Sequence, residues 1–242
     1  LEFRRVLFRS SGLRNTCRIL RESGKVVERC ACKAEDARKF AETYSRHRPI
    51  LPMNGKTPVI DPTAYIATSA SVVGDVQIAT GSAVWYGSIV RGDENSVMIG
   101  TESHIQDRSV VSGVKSTDNG LPGSVSIGNN VVVGYASTLS GCRIDDNCHI
   151  GSGCRILEGA HMETNSALGA GSVLEQGKTV PAGEYWAGNP AKFVRKVGEH
   201  EKDDMLQYSR DCTEMSEKHA AEFLPYGTLF RHERSEERRV GK

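Results

Sequence analysis

The sequence predicts an all-β fold: a left-handed parallel β-helix of about seven coils with a C-terminal α-helix packed outside it. Three observations carry this. A large, mostly aliphatic residue recurs every six positions between Ile60 and Trp186. Gly, Asn and Asp collect between these positions. Beyond them, a segment mixing charged and apolar residues drops the period and ends at Pro225.

The repeat runs Ile60, Ile66, Val72, Ile78, Val84, Val90, then Ile99, Ile105, Val111. A loop rich in Gly, Ser and Asp, Gly113 to Ser126, intervenes. It resumes at Ile127, Val133, Leu139 and, after one five-residue step, at Ile144, Ile150, Ile156, Met162, Leu168, Leu174, Val180 and Trp186. A period of six matches neither the 3.6 of a helix nor the 2 of a simple strand; it is a short strand plus a corner. Three such units close a triangular coil of roughly 18 residues, with each anchor stacking on its equivalent about 4.8 Å along the axis. Gly128-Asn129-Asn130 and Asp145-Asp146-Asn147 suit corners because these residues tolerate positive φ. From Glu199 to Phe223 we expect a helix whose packing side draws on Met205, Leu206, Tyr208, Met215, Ala220 and Phe223.

The chain thus reads as four regions: an extension over 1–50, the β-helix over 51–196, a helix and tail over 197–228, and a last tail over 229–242. The basic, aperiodic ends 1–10 and 234–242 read as non-native additions. Residues 11–50 hold ten Lys/Arg against five Asp/Glu, which fits a presequence remnant or a solvated arm equally well.

Composition narrows the function. A net charge of +1 gives no bulk drive toward nucleic acid or an anionic membrane. No run approaches the roughly 18 apolar residues of a spanning helix. Seven cysteines, an odd number, argue for a reducing compartment rather than a disulfide framework. Cys30-Ala-Cys32 lacks a second pair at zinc-finger spacing, and Cys142, Cys148 and Cys154 fall on successive faces of the prism as small fillers. His149 and His161 lie on different faces without a metal-spaced partner. His104, just before anchor Ile105, reads as a corner histidine with ordinary hydrogen bonds or as a lone acid/base.

One series is specific: Val84-Trp85-Tyr86-Gly87-Ser88-Ile89-Val90-Arg91-Gly92-Asp93, then Ile105-Gln106-Asp107, then Gly188-Asn189-Pro190-Ala191-Lys192. Over residues 52–196 it resembles the γ-class carbonic anhydrases. That family binds zinc through three His, two from one subunit of a trimer and one from its neighbour. At the matching positions this chain has Ser112 after Val110-Val111, Tyr135 after Val133-Gly134, and Ser140 before Gly141-Cys142. Counting anchors, Ser112 and Ser140 are one coil apart on one face, whereas Tyr135 belongs to the preceding unit near a corner. Neutral hydroxyls are poor zinc ligands, and without the metal no water is brought to a pKa of about 7. We therefore expect no catalytic residue and no metal held by the chain's own residues, with zinc confined to interfaces between partner subunits. The resemblance places the surviving Arg91, Asp93, Gln106 and Asp107 around the site and the trimer interface.

Gly120-Leu121-Pro122 in the loop and Glu222-Phe223-Leu224-Pro225-Tyr226 after the helix are similar to the ligand-poor, carbonic-anhydrase-like subunits of mitochondrial respiratory complex I. That resemblance implies a non-catalytic structural subunit in a heterotrimer with other γ-type chains. It would sit on the matrix side of the membrane arm, without nucleic acid and without a transmembrane segment of its own. The alternatives are a hexapeptide-repeat acyltransferase or thioesterase using coenzyme A, with His104 its one candidate, or a soluble scaffold trimer of another assembly.

Overall fold

In the computed structural model, residues 23, 24, 47–115, 120 and 123–222 are described. The chain divides into two compact units at Arg46/His47, and the second holds the whole repeat. Expectations on residues 1–22 and 25–46, on Cys17, Cys30 and Cys32, on the loop tip and on everything past Glu222 lie outside the described residues.

The second unit is a parallel β-solenoid of about seven coils with one C-terminal helix. Each anchor pairs in parallel with its equivalent one coil away: Ile105 with Val133, Val133 with Ile150, Ile150 with Leu168, Leu168 with Trp186. The sequence irregularities become local changes of coil length. Ile78 pairs with Ile99, 21 residues on, because Asp93-Glu94-Asn95 bulge outward opposite Asp75. Ile127 pairs with Ile144, 17 residues on, through the five-residue step. Two strands are longer than a single face: Ser71–Ile78 and Ile89–Ile99 run round a corner and join two faces into a single 12-stranded sheet. The intervening loop is shorter than expected, since Val125–Ile127 is already strand.

The anchors from Val72 to Val180 form the core and are buried; Ile60, Ile66 and Trp186, at the ends, are half-buried. A second buried row lies two residues before the anchors: Ser82, Ser88, Ser103, Ser109, Ser137, Ser166 and Ser172. The hydroxyls of Ser82, Ser88, Ser103, Ser109 and Ser137 donate to carbonyls of the next coil, as Ser88 Oγ does to Gln106 O (2.6 Å) and Ser103 Oγ to Gly128 O (2.7 Å). At these corners a polar group that would otherwise be stranded in the core is thereby satisfied. Cys148 and Cys154 occupy the same row and donate likewise, to Glu163 O (3.2 Å) and Gly169 O (3.1 Å). Burial raises both thiol pKa values, that of Cys148 to about 11. The last coil ends in a hairpin, Glu184–Ala187 against Lys192–Lys196, which is antiparallel where the other paired strands among the described residues are parallel.

The helix Glu199–Glu222 runs back along one face. Twenty-four residues span about 36 Å, close to the roughly 34 Å of seven stacked strands. Its face toward the prism differs from expectation. Tyr208, Met215 and Ala220 are exposed; the buried positions are Ser209, Cys212 and Ser216, flanked by Met205, Leu206, Thr213 and His219. Small side chains let the helix lie close to the sheet, and hydrogen bonds take over much of the fastening. Ser209 Oγ donates to Glu102 O (2.6 Å), Thr213 Oγ1 pairs with His104 Nε2 (3.1 Å), and Tyr86 OH pairs with His219 Nδ1 (2.8 Å). No helix among the described residues is long and apolar enough to cross a membrane.

Candidate functional site

The seven singled-out residues fall into two groups at opposite ends of one prism face. The first is a ladder. Arg91, in Ile89–Ile99, pairs in register with Ser112, the last residue of Val110–Ser112. Ser112 pairs with Ser140, the last residue of Thr138–Ser140. Each follows a fully buried anchor (Val90, Val111, Leu139), so strand alternation turns each outward. The Arg91 guanidinium is paired with the Asp93 carboxylate and holds its pKa below the usual range. Parallel strand spacing sets the two serines about 4.8 Å apart, close enough to share a ligand.

The second group lies at the corner beneath the helix. Asp107 Oδ1 accepts the Tyr86 backbone N–H (2.8 Å), and its carbonyl accepts that of Ala136 (2.9 Å), so the residue ties one corner to the next. Gln106 is buried and donates through Nε2 to Cys212 Sγ of the helix (3.4 Å). Tyr135 sits on the following corner, 48% exposed. Across from it, burial raises the Tyr208 hydroxyl pKa to about 12, with Cys212 and Tyr135 as its polar neighbours. Gln106, Cys212, Tyr208 and Tyr135 thus line one polar seam. Of its helix half, Tyr208 is among the residues expected to pack and Cys212 is not, although Ser209, Cys212, Thr213 and Ser216 recur at helical spacing and mark the buried face.

His104 is not at a corner. It lies in the strand His104–Ile105, completely buried beneath the helix. The Thr213 hydroxyl donates onward to Ser209 O (3.2 Å), so Nε2–H donates to Thr213, while Nδ1 has no partner. Burial lowers the His104 pKa to about 4. A neutral ring with no exposed surface makes no contact with an external substrate.

The ladder's donor set does not fit a zinc ion. Ser112 and Ser140 offer neutral hydroxyls, and Arg91 sets a guanidinium beside them in register. No group of three His, Cys, Asp or Glu side chains is placed to hold a metal among the described residues. His161 is engaged by Asp145 (2.9 Å), and His149 packs edge-on against Tyr208.

Residues 124–158 match the family described as bacterial transferase hexapeptide (six repeats). The chain is 38% identical over 203 residues to gamma carbonic anhydrase 1, mitochondrial, of Arabidopsis thaliana, covering 84% of this chain and 74% of that protein. It is 41% identical over 187 residues to gamma carbonic anhydrase-like 1, mitochondrial, of the same plant, covering 77% and 74%. Among solved structures, a hexapeptide transferase family protein from Anaplasma phagocytophilum superposes with a TM-score of 0.65 at 36% identity, covering 70% of this chain and 96% of that one.

Proposed function

The chain belongs to the γ carbonic anhydrase family, and we propose that it serves as a non-catalytic, structural member of a mitochondrial trimer of γ-type chains. The observation that carries this is the Arg91–Ser112–Ser140 ladder: two aligned positions that could share a metal, filled by neutral hydroxyls beside a cation. The mitochondrial relatives, carbonic-anhydrase-like ones among them, support the compartment. Our reading sets the trimer on the matrix side of the respiratory complex I membrane arm. Each metal site there would draw ligands from two neighbours, so one degenerate chain disables two of three interfaces and leaves the third to its partners. Zinc would then belong to that partner interface alone.

Two measurements test this. Extracted in mild detergent, the chain should co-migrate with complex I on native gels; migration as a free small oligomer sinks the placement. Purified and equilibrated with zinc, it should retain far less than one ion per chain, and stoichiometric zinc refutes the loss of the site. The transferase-like neighbour keeps a second reading in play, a coenzyme A-dependent acyltransferase. The burial of His104 weighs against it, and a coenzyme A titration separates the two.

A further inference from the structure

The last strand of the solenoid is unlike the others. All five residues of Lys192–Lys196 are exposed, where most strands bury at least one residue. Among the described residues the strand is the open edge of the 8-stranded sheet, paired only with Glu184–Ala187. Phe193 and Val194 stand 51% and 55% exposed. Phe193 is the register partner of Trp186, the final anchor, so its ring extends the hydrophobic column to the end of the prism.

Within the strand the charges share a sign. The strand holds Lys192, Arg195 and Lys196 and no acid. Arg195 is engaged by both carboxylate oxygens of Glu201 (2.6 and 2.7 Å). Among the described residues neither Lys192 nor Lys196 has an ion-pair partner, nor has Lys178 on the same terminal coil. Glu184, opposite Lys196, turns its carboxylate to Trp186 Nε1 (2.8 Å). The other end of the solenoid also shows apolar residues (Ile50, Leu51, Met53 and Val59), but its Lys56 is engaged by Asp75 (2.6 Å). Lysines alone would suffice to blunt an edge strand. An aromatic and a valine left in water between uncommitted lysines is the composition that suits a lipid headgroup boundary.

We propose that the terminal strand Lys192–Lys196, with Lys178, is a docking surface for an anionic lipid bilayer. Phe193 and Val194 enter the headgroup–acyl boundary while Lys178, Lys192 and Lys196 meet lipid phosphates. The surface is local, since the whole chain is nearly neutral. For its setting it rests on the membrane-peripheral placement proposed for the trimer; its observations stand apart from it.

The test is co-flotation of the full chain with vesicles of phosphatidylcholine alone and of phosphatidylcholine with phosphatidylglycerol. Binding should require the anionic lipid and fall with added salt. Each lysine near an anionic surface strengthens attachment about fivefold. Lys192→Glu with Lys196→Glu should therefore weaken partitioning at least tenfold, and Phe193→Ser should weaken it separately, both with circular dichroism unchanged. If the double variant misfolds, Lys178→Glu, at an exposed corner, supplies the readout. Absence of flotation, equal binding to the neutral vesicles, or binding that survives these variants overturns the proposal. So does a variant that loses co-migration with complex I while vesicle binding is unchanged, because the surface would then meet protein. Flotation as expected from a chain that never co-migrates with complex I would keep the surface and refute the placement.

Discussion

Acidification should loosen the C-terminal helix through His104. In the docked state the ring is fully buried, its Nε2–H is spent on Thr213, and Nδ1 faces no acceptor. The sheet side offers only Ala83 and Val132 in register, and the helix side Thr213 and Ser209, so a proton arriving at Nδ1 meets no carboxylate. The pKa falls from an ordinary 6.5 to about 4. The docked form disfavours the proton, so the contribution is complete above about pH 6.5, shrinks as pH falls and is gone below about 4. The full difference corresponds to about 3 kcal/mol, more than half of it already lost at pH 5. Burial lowers the His149 pKa as well, so it acts in the same direction. Urea denaturation followed by circular dichroism at pH 7 and pH 5 measures the loss. His104→Gln keeps a polar side chain that cannot titrate and should flatten most of the slope between the two. Equal slopes in the two proteins would refute the assignment of the proton to this ring.

Other perturbations probe the solenoid. Gly92→Ala would drive a Cβ into the Asp75 backbone where the two long strands cross the corner, and should cost roughly 1–3 kcal/mol by overpacking; a melting temperature within error of wild type would show that the corner yields. Met162→Ala empties a fully buried anchor site and should cost about 2–5 kcal/mol, read from the denaturation midpoint. Cys142, Cys148 and Cys154 are buried, with thiol pKa values raised by desolvation, to about 12 for Cys142. They should resist iodoacetamide in the native protein at mildly alkaline pH and label together on unfolding; rapid native labelling of any one would contradict the packing.

The solenoid was legible because its period is written in one residue class. A stacked coil needs a large apolar side chain at each anchor, and no loop composition obscures that. The serine row was less legible: Ser88 and Ser109 look like corner residues until the neighbouring coil supplies the carbonyls they bond. The helix was legible in extent but not in orientation. Met215 and Tyr208 suggested an apolar seam, whereas close approach to the sheet selected Ser209, Cys212 and Ser216. The same contact buried His104, which local sequence could not foresee, because its partner Thr213 is 109 residues away. For the ladder, counting anchors sufficed to align Ser112 with Ser140, since register in a solenoid is set by the repeat.

That alignment also bears on why a ligand set can be lost while the fold persists. The strands carrying Ser112 and Ser140 are held by Val111 and Leu139, both completely buried, and by backbone pairing on both sides. The outward residue after each anchor adds little to the core, so exchanging it for serine removes no cavity-filling volume and strands no buried polar group. Gln106 and Asp107 are different, because Gln106 bonds the helix and Asp107 ties two corners. Metal ligands placed on the outward rim of a solenoid are therefore free to drift once zinc is no longer required. Residues that also fasten the corners and the helix stay under structural constraint. On the proposed non-catalytic reading, this separation would let assembly outlast catalysis, and it makes Gln106 and Asp107, rather than Ser112 and Ser140, the positions where substitution should lower stability.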